Sequence, residues 1–156
     1  VIENYNLGHS DGASEFLKYN VNADIAKTII EEYLRFVIPE IKDYTSLNNI
    51  CLSNEPFFKP ESCGDYYLDE WHQFLEDKYG NTWDLYQAYG KYYLSFNRVP
   101  LDASGSDAKE YDYKQFNDMI FSEWHRWMAD IIHEIAPDVP LHSKIMAYVD
   151  LRSLPF

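Results

Sequence analysis

Two short strand-like segments lie far apart in this sequence, with helical patterns between them. Residues 47–53 are short, partly β-branched and followed by a proline-containing loop, and residues 140–148 form the second such segment. Strands separated by a long helical crossover run parallel to each other. The order of helix, strand, helices and strand therefore predicts an α/β fold.

Apolar residues recur at helical spacing in four segments. They predict helices over residues 23–44, 66–79, 83–89 and 111–135. Asn22 is expected to cap the first helix, and Pro39 to perturb it. Asn81-Thr82 opens the short helix over residues 83–89. Gly80 and Gly90 stand where helix C-caps belong. Residues 92–108 predict a long surface loop, of a length usually kept for functional or insertion loops. The tryptophans at helical spacing are interpreted as packing residues rather than sugar platforms: Trp71, Trp83, Trp124 and Trp127.

Two strands do not complete a sheet. A parallel sheet is normally covered on both faces and contains more strands than this sequence shows. The chain has 156 residues, which suits one domain, and we find no internal repeat. We therefore expect residues 1–156 to be one piece of a larger fold. Its cut edges would associate with the missing remainder or with a second copy.

Composition excludes several classes of protein. With 13 basic against 26 acidic side chains, the net charge of -13 argues against a nucleic-acid partner. A hydrophobic content of 46% excludes a disordered acidic chain. No apolar run reaches the roughly 18–20 residues that span a membrane, and the N-terminus lacks a signal-peptide pattern. We expect a soluble protein without a membrane partner, in a cytoplasmic, periplasmic or secreted location that stays open.

The sequence offers little support for a metal or a cofactor. Two cysteines, Cys51 and Cys63, are too few for a disulfide framework or a multi-cysteine zinc site. The histidines have no metal-ligand spacing, and both the phosphate-binding glycine loop and the Gly-x-Ser-x-Gly elbow are absent. We therefore expect neither a metal nor a cofactor.

The string Asn54-Glu55-Pro56 follows the first predicted strand. In α/β folds, catalytic groups lie at the carboxyl ends of parallel strands. Desolvation beside aromatic residues could raise the pKa of the Glu55 carboxyl, which could then act as a general acid near neutral pH. Asn54 could donate a hydrogen bond to a substrate hydroxyl. The competing interpretation makes Glu55 a helix cap or an ion-pair partner.

These residues resemble a known family. The matching strings are Leu52-Ser53-Asn54-Glu55-Pro56, Phe74-Leu75, Lys78-Tyr79-Gly80-Asn81-Thr82 and Ala88-Tyr89-Gly90. They are similar to the retaining (β/α)8-barrel glycoside hydrolases, in particular to family 42-type β-galactosidases, over about residues 22–148. The resemblance implies a partial TIM barrel, from the third βα loop to the fifth strand. Residues 1–156 would be the central part of the catalytic domain.

The resemblance also implies a mechanism and an incomplete site. Glu55 would be the acid/base residue of a double displacement, with a nucleophilic carboxylate about 5–5.5 Å away, and Asn54 would contact the sugar 2-hydroxyl. The family's nucleophile follows the seventh strand, so we expect it outside this chain and expect the isolated chain to be inactive. A β-galactoside is the first substrate candidate. The alternative function is a non-catalytic carbohydrate-binding or interaction domain.

Three further positions have open roles. His9 lies in a polar, glycine-containing loop that the resemblance places at the catalytic face, where it could contact substrate. Phe57 could stack on a sugar or plug the top of the core. His142 and Lys144 alternate on the last strand and could be satisfied in the core or face the substrate.

Overall fold

The computed structural model describes residues 19–54 and 59–144. The helices are α1 (Asp24–Ile41), α2 (Leu68–Tyr79), α3 (Thr82–Tyr89) and α4 (Asp107–Ile135), the strands are β1 (Ile50–Asn54) and β2 (Leu141–Lys144), and 3-10 segments cover Pro60–Tyr67 and Phe96–Arg98. Within these ranges, no helix combines the length and the apolar character required to cross a lipid bilayer.

The two strands pair directly and run parallel, so the predicted α/β class is confirmed. Cys51 pairs with His142, and Asn54 pairs with Lys144. Between these pairs β1 advances three residues (51 to 54) while β2 advances two (142 to 144), so β1 contains one extra residue. Such an insertion is a β-bulge, which bends the strand and re-aims its side chains.

Helices α1 and α4 cover one face of the sheet. Ile38 from α1 and Ile132 from α4 are buried together, and Ile50, Leu52 and Leu141 from the strands pack against them. A larger core lies between α2, α3 and α4 and includes these fully buried side chains: Trp71, Leu75, Leu85 and Phe116. Helix α4 contributes to both cores and therefore joins the sheet to the helical segment between the strands.

The ends of α2 and α3 follow the sequence prediction. The Asn81 side chain accepts hydrogen bonds from the backbone N–H groups of Trp83 and Asp84, both at 3.0 Å, and so caps α3. Gly80 ends α2 with φ 70°, and Gly90 ends α3 with φ 69°. In this left-handed region glycine carries no Cβ penalty, which explains both stop signals.

The start of α1 corrects the prediction that Asn22 is its cap. Ala23 occupies the N-cap and provides no side-chain bond. The Asn22 N–H instead donates to the Asn20 side chain at 3.1 Å, and its carbonyl accepts from the Tyr66 hydroxyl at 2.8 Å. The backbone of Asn22 is thus held by Asn20 and Tyr66, one residue before the N-cap. The helix runs through Pro39 and ends two residues later, at Ile41.

Two other predictions need correction. Trp83 is 62% exposed, because Leu85 and Tyr89 occupy the buried side of the short helix α3.

Residues 92–106 form a loop, as expected, and α4 begins at Asp107 because the Ser106 side chain accepts from the Lys109 N–H at 3.3 Å. This loop also supplies buried side chains to the core: Tyr93, Val99 and Leu101. The prediction of a packing role is confirmed for Trp71 and Trp124, which are buried, and Trp127 is partly buried.

Candidate active site

The sheet face that points away from the helices is polar. Cys51 and Asn54 on β1 are exposed there, and so are their partners His142 and Lys144 on β2. Within the described residues, His142 and Lys144 are exposed rather than packed in the core. The structure pairs Asn54 with Lys144 at the carboxyl end of both strands, whereas His142 lies opposite Cys51, nearer the start of both strands.

The bulge is what turns Asn54 towards this face. In a regular strand, side chains alternate between faces, so residues three apart point in opposite directions. The extra residue lets Cys51 and Asn54 share the exposed face, while Leu52 and Ser53 both lie on the helix side. The Cys51 thiol donates to the Ser53 carbonyl at 3.1 Å, within the bulge. Bulges next to active sites commonly re-aim a side chain in this way.

Ser53 is tied to α4 through a histidine. The Ser53 hydroxyl lies 2.7 Å from Nε2 of His125, and Nδ1 of His125 lies 2.7 Å from the Phe121 carbonyl oxygen. A carbonyl can only accept, so Nδ1 carries the proton. In the neutral ring Nε2 then accepts the hydrogen bond from Ser53. Sequence reasoning missed this pair, because no spacing connects positions 53 and 125.

Three of the predicted site residues, Glu55, Phe57 and His9, lie outside the described residues, and their roles stay predictions. Asn54, the fourth, is described and exposed at the end of β1, directly before Glu55 in the sequence.

An apolar groove of about 470 Å³ runs beside β1, between α1 and α4. Its walls include Leu34 and Val37 from α1 and Trp124 and Met128 from α4. Among the described residues, β1 pairs only with β2, so its other edge has no partner strand there. Phe36, also on α1, is 74% exposed. Apolar walls beside an open strand edge suit packing by further chain better than they suit a hydroxylated sugar.

Neither cysteine forms a disulfide. Burial raises the pKa of the Cys63 thiol to about 11, which makes it a poor nucleophile near neutral pH. In the two described ranges, no group of three or more His, Cys, Asp or Glu side chains could hold a metal ion.

A buried carboxylate on α4 joins α2 and α3 to that helix. Asp112 on α4 is 1% exposed and accepts hydrogen bonds from the Lys78 ammonium group at 2.7 Å and from the hydroxyls of Tyr79 at 2.7 Å and Tyr89 at 2.8 Å. Burial raises the pKa of both tyrosines, and the bonds to Asp112 raise it further. These contacts hold the ends of α2 and α3 on α4. Sequence periodicity did not reveal them, because Asp112 reads as an ordinary polar helix residue.

Comparison with known proteins identifies a family and a similar solved structure. The family model of glycoside hydrolase family 42, described as beta-galactosidase, matches residues 8–154. The crystal structure of apo exo-carrageenase GH42 from Bacteroides ovatus is similar, with a TM-score of 0.67 at 22% identity, over 92% of this chain and 22% of that chain. The segment therefore spans about a fifth of that protein's length. A search of curated protein sequences found no significant match. The first match includes the whole described site and confirms the resemblance noted in the sequence.

Proposed function

The chain belongs to glycoside hydrolase family 42, and on that premise we propose that it carries the acid/base part of a retaining β-glycosidase active site. A β-galactoside is the first substrate candidate. In this proposal, residues 1–156 form the central part of a (β/α)8 catalytic domain. The strands β1 and β2 are then the fourth and fifth strands of the barrel.

The observation that carries the proposal is the position of Asn54. It ends a parallel strand, faces away from the covering helices, and directly precedes Glu55. Enzymes with (β/α)8 barrels build their active sites at this end of the strands. An amide there can hydrogen-bond to the sugar 2-hydroxyl. Lys144, paired with Asn54 on the next strand, places a second polar group at the same end.

Glu55 then takes both roles of the acid/base residue. It protonates the departing glycosidic oxygen while a carboxylate from another part of the protein attacks the anomeric carbon. It next removes a proton from the water that breaks the glycosyl ester. His9 and Phe57 are proposed substrate contacts. No described side-chain contact favours the alternative function, a non-catalytic carbohydrate-binding or interaction domain.

The proposed partners are a carbohydrate substrate and the rest of the barrel. The open edge of β1, the groove beside it and the exposed side chains of Tyr33 and Phe36 on α1 support covering by further chain. Association with a second copy is the competing possibility for the isolated segment. Sizing of the isolated segment separates the two, since self-association predicts a mass that rises with concentration.

The test uses the natural polypeptide that carries this segment, with Glu55→Ala and the matched control Glu76→Ala, an exposed carboxylate on α2. We expect Glu55→Ala to lose turnover of alkyl β-galactosides by at least about a hundredfold, the lower range of general acid/base contributions. Dinitrophenyl galactoside, whose leaving group needs no proton, should still form the glycosyl-enzyme. Added azide should then replace water and yield a β-glycosyl azide.

The outcomes are distinct. Product of retained anomeric configuration, seen by NMR in the native protein, supports the double displacement, and an inverted product contradicts it. Undiminished hydrolysis in Glu55→Ala contradicts the role of Glu55. Sugar binding without turnover in the native protein would favour the binding-module alternative.

A further inference from the structure

We infer that Ser53 and His125 form a positioning pair that sets where the end of β1 presents Asn54 and Glu55. This inference rests on the proposed function. The pair links the end of β1 to α4 through the 2.7 Å bond between the Ser53 hydroxyl and the His125 ring. Neither residue is assigned to substrate contact, because Ser53 lies on the helix side of the sheet.

The His125 ring is held in one orientation. Its Nδ1–H donates to the Phe121 carbonyl at 2.7 Å, one helical turn earlier on α4. The rings of Phe121 and Trp124 lie 5.4 Å and 5.0 Å from it, centroid to centroid. Trp124 is buried in the larger core. Nε2 of His125, which accepts the hydrogen bond from Ser53, is therefore held in place on a well-packed helix.

The bulge is the reason that this end of the strand needs such a bond. A regular strand would turn Asn54 to the opposite face from Cys51, and a slip of one residue reverses every side chain. Ser53 occupies the extra-residue segment, between Cys51 and Asn54. By holding the Ser53 hydroxyl on the helix side, His125 keeps the surplus residue in place and Asn54 on the exposed face. Glu55 follows directly in the sequence.

Loss of the pair should therefore impair proton transfer more than folding. A misplacement of about 1 Å can cost about a hundredfold in rate. For Ser53→Ala and His125→Phe in the natural polypeptide, we expect kcat/KM on an alkyl β-galactoside to fall about 10-fold to 100-fold. On dinitrophenyl galactoside the step measured by kcat/KM needs no acid, so only the contact of Asn54 with the sugar is affected and the loss should be about tenfold smaller.

This difference between substrates separates positioning from a merely structural role, because a smaller folded fraction lowers both rates equally. Conservative variants provide the rescue test. Ser53→Thr keeps the hydroxyl, and His125→Gln keeps an acceptor near the place of Nε2, so both should recover most of the alkyl-galactoside rate. His133→Phe, an exposed histidine two turns further along α4 that contacts the Val139 carbonyl, is the matched control and should leave both rates unchanged.

Glu55→Ala in the same experiment keeps the two proposals apart. If Glu55→Ala shows the leaving-group-dependent loss and Ser53→Ala and His125→Phe do not, the positioning role is wrong and the proposed function stands. If Glu55→Ala itself shows no such dependence, the proposed function fails, and the inference fails with it. Equal losses on both substrates for the pair variants would also overturn the inference.

Discussion

Asp112 provides the sharpest test of how the segment between the strands is held together. Its buried carboxylate accepts three hydrogen bonds, from Lys78, Tyr79 and Tyr89. Asp112→Ala removes all three. The Lys78 side chain is 32% exposed and can return to water, but Tyr89 is 6% exposed, so its hydroxyl would be left unpaired.

The size of the effect follows from these contacts. A hydrogen bond to a charged group contributes about 1.5–3 kcal/mol, and an unpaired buried hydroxyl costs about 1–3 kcal/mol. The bond to Lys78 contributes less because this side chain is partly exposed to solvent, and the free-energy losses of bonds that share one carboxylate do not add fully. We therefore expect Asp112→Ala to lower local stability by about 3–5 kcal/mol, the range for breaking a buried charged pair. Asp112→Asn keeps the shape and one acceptor oxygen and should cost less.

Hydrogen exchange of the α3 amides is the appropriate assay, because it reports the stability of one part of a larger protein. At about 1.4 kcal/mol for each factor of ten, the expected loss speeds exchange by at least about a hundredfold. Asp130→Ala, an exposed carboxylate on the same helix, is the control. Unchanged protection of α3 in Asp112→Ala, or equal loss in the control, would refute the reasoning.

Two further predictions concern the aromatic residues. Trp71→Ala should lower the free energy of unfolding by about 3–5 kcal/mol because Trp71 is fully buried. Trp83→Ala should change it by no more than about 0.5 kcal/mol because Trp83 is 62% exposed. Thermal unfolding compares the two variants, and equal losses of stability would contradict the packing described. Burial raises the pKa of Tyr67, Tyr89 and Tyr113 above the usual 10.0, so the folded state keeps these protons while the unfolded state loses them. This stability is complete below about pH 10 and lost as pH rises towards the folded-state pKa values. Tyrosinate absorbance from these three residues should therefore appear together with unfolding, and ionisation of all the tyrosines in a folded protein would contradict it.

Much of the local structure could be read from the sequence. The glycines at 80 and 90 and the Asn81 cap marked helix ends correctly, because these signals act within a few residues. The long periodic helix was also identified, although its start lay four residues earlier than predicted, at Asp107. The parallel pairing of the strands followed from the crossover between them.

The contacts between residues far apart in the sequence could not be read in this way. The pairs Ser53 and His125, and Lys78 and Asp112, join residues 72 and 34 positions apart, and nothing local marks either partner. The bulge depends on the register with β2, which a single strand does not reveal. Trp83 looked like a core residue because periodicity in so short a helix does not say which side faces inward.

The Asp112 contacts also bear on the order in which the chain can be assembled. Pairing Ile50 with Leu141 closes a loop of 91 positions (141 − 50), whereas the bonds of Asp112 to Lys78 and Tyr89 close loops of only 34 and 23. The entropy cost of loop closure grows with the length of flexible chain between the contacting ends. Once α2 and α3 are bound to α4, part of the long loop is no longer flexible. The remaining search that brings β2 beside β1 is then shorter, so a carboxylate remote from both strands lowers the entropic barrier to their meeting.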